Sequence, residues 1–161
     1  CIRDRCKPLT YSELIPPLTN DDYIMNTGSI KMLNLTIALG AINALIAVAA
    51  VAFAAHGLKN TLSPEHLDTF KTAADYQMIH GIGLILIGLL NKCDLKHDSK
   101  RSNNISAWLM LAGIILFSGS LYLLTLSGVR WLGVITPFGG ICFLLAWLSL
   151  ALSHMPTRHQ S

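Results

Sequence analysis

The sequence predicts an all-α integral membrane protein, a bundle of four transmembrane helices in which neighbours run antiparallel. Charged residues make up 13% of the 161 residues, against ~25% in soluble domains. Hydrophobic residues make up 52%, and mean hydropathy is +0.50. Four apolar stretches are each long enough to cross a hydrocarbon core of ~30 Å. The lipid bilayer is therefore the expected partner, and a net charge of +3 without a basic face argues against nucleic acid.

Residues 1–32 differ in composition from the rest, with three prolines, many charges and no apolar periodicity. We expect this leader to be disordered or loosely held. The natural protein is expected to start at Met25 or Met32, so that residues 1–24 are dispensable. The alternative is a lipidated mature terminus at Cys1. At the other end, residues 153–161 form a polar tail.

The first predicted span covers residues 33–55, a run of 23 residues without a charge. As a helix it is roughly 35 Å long. Gly40 and Ala44 form a small-xxx-small step that allows another helix to approach closely. Asn43 is expected to hydrogen-bond a neighbouring helix, and Gly57 is placed to end the span as a left-handed residue.

The second helix is predicted over residues 64–90, about 40 Å at 1.5 Å per residue. Ser63 is a plausible N-cap, and Pro64 suits a first helical turn. The first half is charged and amphipathic, and we expect it at or beyond the membrane interface. The second half, residues 73–90, forms the second span.

The third and fourth spans are predicted over residues 105–126 and 131–152. The short connection at residues 127–130 makes them antiparallel neighbours. Pro137 near the start of the fourth span predicts a kink. Basic residues near the span ends number six on one side and three on the other, which predicts that both termini are cytoplasmic. The six are Lys31, Lys92, Lys96, Lys100, Arg101 and Arg158, and the three are Lys59, Lys71 and Arg130.

Polar residues from all four spans are predicted to converge on the outer leaflet. If Asp75 marks the interface, His80 lies roughly 7 Å below it, at a depth where it can meet Tyr76 and Tyr122. The candidate polar cluster consists of His56, Tyr76, Gln77, His80, Ser118, Ser120, Tyr122 and Thr136. The residues predicted to allow close packing or a kink are Gly40, Gly57, Gly81, Gly119, Pro137, Gly139 and Gly140.

Two interpretations of the cluster remain open. The polar groups can be a hydrogen-bonded bundle end that fixes helix register, or a small site open to the outer face. We predict no enzymatic activity and no cofactor or metal, because Ser118 and Ser120 lack an orienting third group for His80. The four cysteines lack zinc-site spacing. The expected function is structural or regulatory, with another membrane protein or a second copy as partner; the alternative is a dimeric transporter subunit using His80.

Four blocks resemble a known family: AFAAHGLK (52–59), YQMIHG (76–81), LFSGSLYLL (116–124) and ITPFGGICFLLAWLSLA (135–151). They are similar to the small YgdD-like membrane proteins, domain of unknown function 423, whose animal relatives are called transmembrane protein 256. The resemblance implies a four-span, multi-pass protein of a bacterial inner membrane, or of an organelle membrane in a eukaryote, without an established activity. Ala54 and Ala146 stand where the family commonly has glycine. Its signature residues map onto His56, Gly57, Tyr76, His80, Ser120, Tyr122, Pro137, Gly139 and Gly140.

Overall fold

A computed structural model describes the backbone of residues 20–93 and 97–155, with side chains for residues 34–92 and 100–155. The chain divides into two units, residues 1–32 and residues 33–161. The prediction that residues 1–24 are dispensable concerns residues that mostly lie outside the described ranges. Residues 156–161, most of the predicted polar tail, also lie outside them.

Helices make up the regular structure of the described residues, which contain no strand. In chain order they are α1 (Asn20–Phe53), a π turn (Ala54–Leu58), α2 (Pro64–Cys93), α3 (His97–Gly113), a π turn (Ile114–Ser118), α4 (Gly119–Ser127), a 3₁₀ turn (Arg130–Val134) and α5 (Thr136–His154).

Within the described ranges, four segments are long and apolar enough to cross a membrane. We call them spans 1 to 4: Asn34–Leu58, Pro64–Lys92, Lys100–Ser127 and Arg130–His154. The predicted all-α class and the four spans are confirmed. The second helix is continuous, as predicted, and extends to Cys93.

Helix α1 begins at Asn20, within the predicted leader. The reason is visible in the sequence. Pro16 and Pro17 are the last prolines before Pro64, so nothing interrupts a helix in between.

Two predicted helix features take a different form. Gly57 is not a left-handed terminator: it lies inside the π turn, and Lys59 after that turn is right-handed helical. The positive-φ residue found in the described chain is Gly128 (φ 71°), which ends α4. Pro137 does not kink a helix, because α5 begins at Thr136. In a first turn proline lacks only an N–H that would have no intrahelical partner anyway.

Spans 1 and 2 pack closely through glycine. A methyl group built on Gly40 would lie 2.6 Å from the carbonyl oxygen of Gly81, and one on Gly88 would meet Ile37. These pairs run in opposite directions, so the two spans are antiparallel. The predicted packing roles of Gly40 and Gly81 are thereby explained, whereas a methyl at Gly119 would meet nothing within 4 Å. Gly119 therefore makes no close helix contact.

Spans 2, 3 and 4 enclose the main apolar core. Hydrogen bonds between Gln77 and Tyr122 and between Asn91 and Asn104 make spans 2 and 3 antiparallel. The core consists of Leu84, Ile87, Ala107, Met110, Ile114, Phe143 and Ala146. The apolar window of span 2 is 50% buried and those of spans 1 and 4 are each 17% buried, so span 2 is the central helix and the other two face lipid.

A second, smaller core joins the end of span 1 to the start of span 2. Phe70 packs with Ala54 and Leu58, and Tyr122 contacts this cluster. The charged first half of α2 is therefore part of the bundle and does not project from it. Its apolar face, at positions 67, 70 and 74, was recognisable from helical spacing.

Candidate functional site

A groove of about 470 Å³ lies between spans 2, 3 and 4. This volume falls within the ~300–1,000 Å³ of small-molecule pockets. Its walls are almost entirely apolar. The lining residues are Tyr76, His80, Phe117, Pro137, Gly140, Ile141, Phe143, Leu144 and Trp147. We call this the His80 groove.

His80 lies at the inner wall of the groove, with only 5% of its surface exposed. Its Nδ1 is 2.7 Å from the carbonyl oxygen of Tyr76, one turn earlier in α2. The imidazole stacks on Phe143, with ring centroids 3.4 Å apart. Phe143 is near the middle of span 4, so His80 lies in the middle part of the bundle.

Glycines allow the aromatic rings to reach the groove. A methyl on Gly113 would lie 2.5 Å from the ring of Phe143. A methyl on Gly139 would collide with the backbone nitrogen of Phe117, so spans 3 and 4 touch there. Phe117 in turn stacks on Tyr76 at 4.6 Å between centroids. The groove wall is thus a set of rings held against glycine-lined backbone.

A separate polar chain connects spans 1, 2 and 3. The Tyr122 hydroxyl donates to Gln77 Oε1 at 2.9 Å, and Gln77 Nε2 donates to Asn43 Oδ1 at 3.1 Å. Asn43 Nδ2 donates to the carbonyl oxygen of Leu39. The prediction that Asn43 bonds a neighbouring helix is confirmed. The predicted contact between Tyr122 and His80 is not among the contacts of the described residues, because Gln77 takes the Tyr122 hydroxyl.

The remaining predicted polar residues are placed apart. Ser120 Oγ donates to the carbonyl oxygen of Phe117, so Thr136 is the donor in the 2.9 Å bond that joins Ser120 and Thr136 across spans 3 and 4. Ser118 is buried, and its hydroxyl has no hydrogen-bond partner among the described residues. His56 lies exposed on the first π turn. The structure therefore divides the candidate cluster into the groove, the polar chain and one serine–threonine bond, and it leaves His56 and Ser118 outside all three.

Sequence reasoning missed a second group of polar contacts, at the opposite end of the bundle. Ser102 and Ser149 join spans 3 and 4 at 3.1 Å between hydroxyls, and Asn91 donates to Asn104 at 3.0 Å. Asn103 is fully buried, and neither of its side-chain polar atoms bonds to a residue that the structure describes. Ser149 stands alone in an apolar run, and such a polar residue is itself a signal of a helix contact.

The aromatic groove residues were also missed. Phe143 and Trp147 are spaced i, i+4, as are Tyr76 and His80, so each pair shares a helix face. This spacing was the available signal on span 4. In the described part of the chain, no group of three or more His, Cys, Asp or Glu side chains could hold a metal. The arrangement suits binding of an apolar molecule.

Four apolar spans with lipid-facing outer surfaces and a groove inside the bundle define a small multi-pass integral membrane protein. More particularly, the chain belongs to the family described as "Protein of unknown function (DUF423)", which matches residues 50–140. The resemblance found in the four sequence blocks is thus confirmed.

Similar chains come from bacteria and are named membrane proteins. A "UPF0382 membrane protein" of Staphylococcus epidermidis is 45% identical over 117 residues, covering 73% of this chain and 92% of that protein. "UPF0382 membrane protein YwdK" of Bacillus subtilis is 42% identical over 117 residues, covering 73% of this chain and 93% of the relative. No solved structure matches the chain significantly.

Proposed function

We propose that this protein is a non-enzymatic, regulatory membrane component that binds an apolar molecule from the bilayer in the His80 groove. The supporting observation is a contrast between the polar chain and the walls of the groove. The hydroxyl of Tyr122 and the amide of Gln77 bond to one another and to span 1, as groups that fix helix register do. The groove walls instead present aromatic and aliphatic surface: the rings contact one another, and the groove they line stays open between spans 2, 3 and 4.

The lipid-facing rim of the groove supports entry from the bilayer. Ile141 is 52% exposed and Leu144 is 72% exposed, and both line the groove. An apolar molecule could therefore move sideways from lipid into the groove without crossing a polar layer. Burying apolar surface against protein rings gains dispersion contacts that loose acyl chains do not supply as well.

The side-chain contacts favour binding over catalysis or transport. Ser120 Oγ is engaged by the carbonyl oxygen of Phe117 and by Thr136, so it is not placed as a nucleophile for His80. Tyr76 and His80 are the titratable side chains of the groove lining. Proton-coupled exchange would need a further carrier beside His80, which the lining does not supply.

Filling the groove tests this function. Gly140 lines the groove, and a methyl built on it would come no closer than 4.0 Å to Phe117. We expect Gly140→Leu to place its side chain in the groove and to lower ligand occupancy at least about tenfold. Native mass spectrometry of protein released from lipid nanodiscs would measure the bound mass.

Gly119→Leu is the matched control, because a methyl on Gly119 meets nothing within 4 Å and Gly119 does not line the groove. We expect it to retain the ligand at the wild-type level. Equal bound mass in the wild type, Gly140→Leu and Gly119→Leu would contradict ligand binding in the groove.

We also propose that the protein lies in the bacterial inner membrane with both termini in the cytoplasm. The bacterial origin of the relatives supports the location, and the basic-residue asymmetry supports the orientation. Replacement of the four cysteines would give a background for Ser127→Cys and Ser161→Cys. A membrane-impermeant maleimide added to intact cells should label Ser127→Cys and should label Ser161→Cys only after permeabilisation. The reverse pattern would overturn the orientation.

A further inference from the structure

The hydrogen bond of His80 fixes which ring nitrogen is left to accept a hydrogen bond from a ligand. A backbone carbonyl can only accept, so Nδ1 must carry the hydrogen in its 2.7 Å bond to Tyr76. An unpaired charge is expensive within a bilayer, so we expect a neutral ring, in which Nε2 is a lone-pair acceptor. Nε2 is the remaining ring nitrogen of a side chain that lines the groove. It makes no hydrogen bond with the described residues.

The lone pair of His80 Nε2 favours a ligand that carries a hydrogen-bond donor. A hydroxyl group in hydrocarbon loses several kcal/mol of hydration unless it finds a partner. His80 Nε2 offers that partner deep in the bundle, beside Phe143. An ether or ketone, which can only accept, gains nothing from it, and a charged head group would lose far more by leaving the interface.

The groove walls select for a flat ring. Tyr76 and Phe117 stack on each other, and Phe117 and Phe143 meet at 56° between ring planes with centroids 5.7 Å apart. Trp147 tilts against His80 at 6.1 Å between centroids. Aromatic pairs prefer offset stacking or edge-to-face contact at ~4.5–7 Å, and walls in both orientations give an inserted ring such contacts. An alkyl chain would gain only dispersion.

We propose that the His80 groove binds an apolar, ring-bearing molecule of the bilayer that carries a hydroxyl donor, such as an alkylphenol, with the hydroxyl donating to His80 Nε2. This inference rests on the proposed binding function and adds the chemical class of the ligand. The ring lies among Phe117, Phe143 and Trp147, and the remainder of the molecule extends past Leu144 into lipid.

Contact quenching of Trp147 tests the ligand class in the full-length protein. Trp108→Phe and Trp131→Phe leave Trp147 as the only indole. A brominated nonylphenol in the nanodisc lipid quenches an indole that it touches, and unbrominated compounds then compete with it. The compounds are nonylphenol, nonylanisole, nonylbenzene and decanol, which separate the ring from the hydroxyl donor.

We expect nonylphenol to displace the quencher at about tenfold lower concentration than nonylanisole or nonylbenzene, the size of one hydrogen bond in a membrane. Decanol should also be weaker, because it lacks the ring. In His80→Phe the preference for nonylphenol over nonylanisole should vanish while nonylbenzene still competes. If His80→Phe does not fold, competition by the four compounds in the protein that keeps His80 still tests the ligand class.

The outcomes separate this inference from the proposed function. Equal competition by nonylphenol and nonylanisole would overturn the hydroxyl donor, and decanol as strong as nonylphenol would overturn the ring; both results leave groove binding intact. If the probe did not quench Trp147 and Gly140→Leu bound as much ligand mass as the wild type, the proposed function would fail as well.

Discussion

Replacing Gly139 with alanine is expected to lower the free energy of unfolding by about 3 kcal/mol, the upper end of the overpacking range. A methyl group there would collide with the backbone nitrogen of Phe117 and lie 2.8 Å from its Cα. A flexible side chain could rotate away, but backbone cannot, so spans 3 and 4 would have to separate. That separation would also displace Phe117 from the groove wall.

Gly140→Ala is the matched control, one residue later in the same helix. Its methyl would lie 4.0 Å from Cδ2 of Phe117, which is an ordinary van der Waals contact. Alanine is also a better helix former than glycine by up to ~1 kcal/mol, so this change should be neutral or stabilising. Reversible unfolding in mixed micelles, followed by circular dichroism, measures both. Equal destabilisation at the two positions would contradict the close contact at Gly139.

The fold was predictable because a helix that crosses a membrane needs a minimum length of apolar sequence. A helix without charges must cover the hydrocarbon core, and the short connection at residues 127–130 leaves only an antiparallel neighbour. Close packing at Gly40 could also be predicted from the sequence, because small residues four positions apart mark a helix face that another helix can approach.

The site was less predictable because spacing identifies a helix face and not the helix that it meets. Tyr76 and His80 do share a face, yet Tyr122 of span 3 meets Gln77, which is three residues before His80. The π turn at Ile114–Ser118 adds to this uncertainty, since it inserts an extra residue and rotates the side chains that follow. No residue type in IILFS announces such a turn.

The apolar residues of the groove were hard to predict for the same reason. Phe117 and Phe143 read in the sequence as ordinary lipid-facing or core residues. Their role emerges only when Gly113 and Gly139 bring spans 3 and 4 together and Tyr76 and His80 of span 2 meet the two rings. A property that depends on three helices at once cannot be deduced from the periodicity of one.

Gln77→Leu is expected to lower the free energy of unfolding by about 2 kcal/mol. Leucine keeps a similar volume but removes both interhelical bonds of Gln77, to Tyr122 and to Asn43. Interhelical hydrogen bonds contribute ~0.6–2 kcal/mol each, and the partners left buried add a desolvation penalty. Thr136→Val, which removes a single bond between spans 3 and 4, should have about half the effect in the same unfolding assay.

A pair of double-mutant cycles tests whether Tyr122 belongs to this polar chain or to the His80 groove. Tyr122→Phe should cost less in the Gln77→Leu background than alone, by ~0.6–1.7 kcal/mol, because the shared bond is already lost. In the His80→Phe background it should cost as much as alone, within ~0.5 kcal/mol, because the His80 imidazole bonds to Tyr76 and stacks on Phe143 without touching Tyr122. If Tyr122→Phe were instead coupled to His80→Phe, the Tyr122 hydroxyl would reach into the groove. The hydrogen bond between Tyr122 and Gln77 would then not be the contact that aligns spans 2 and 3.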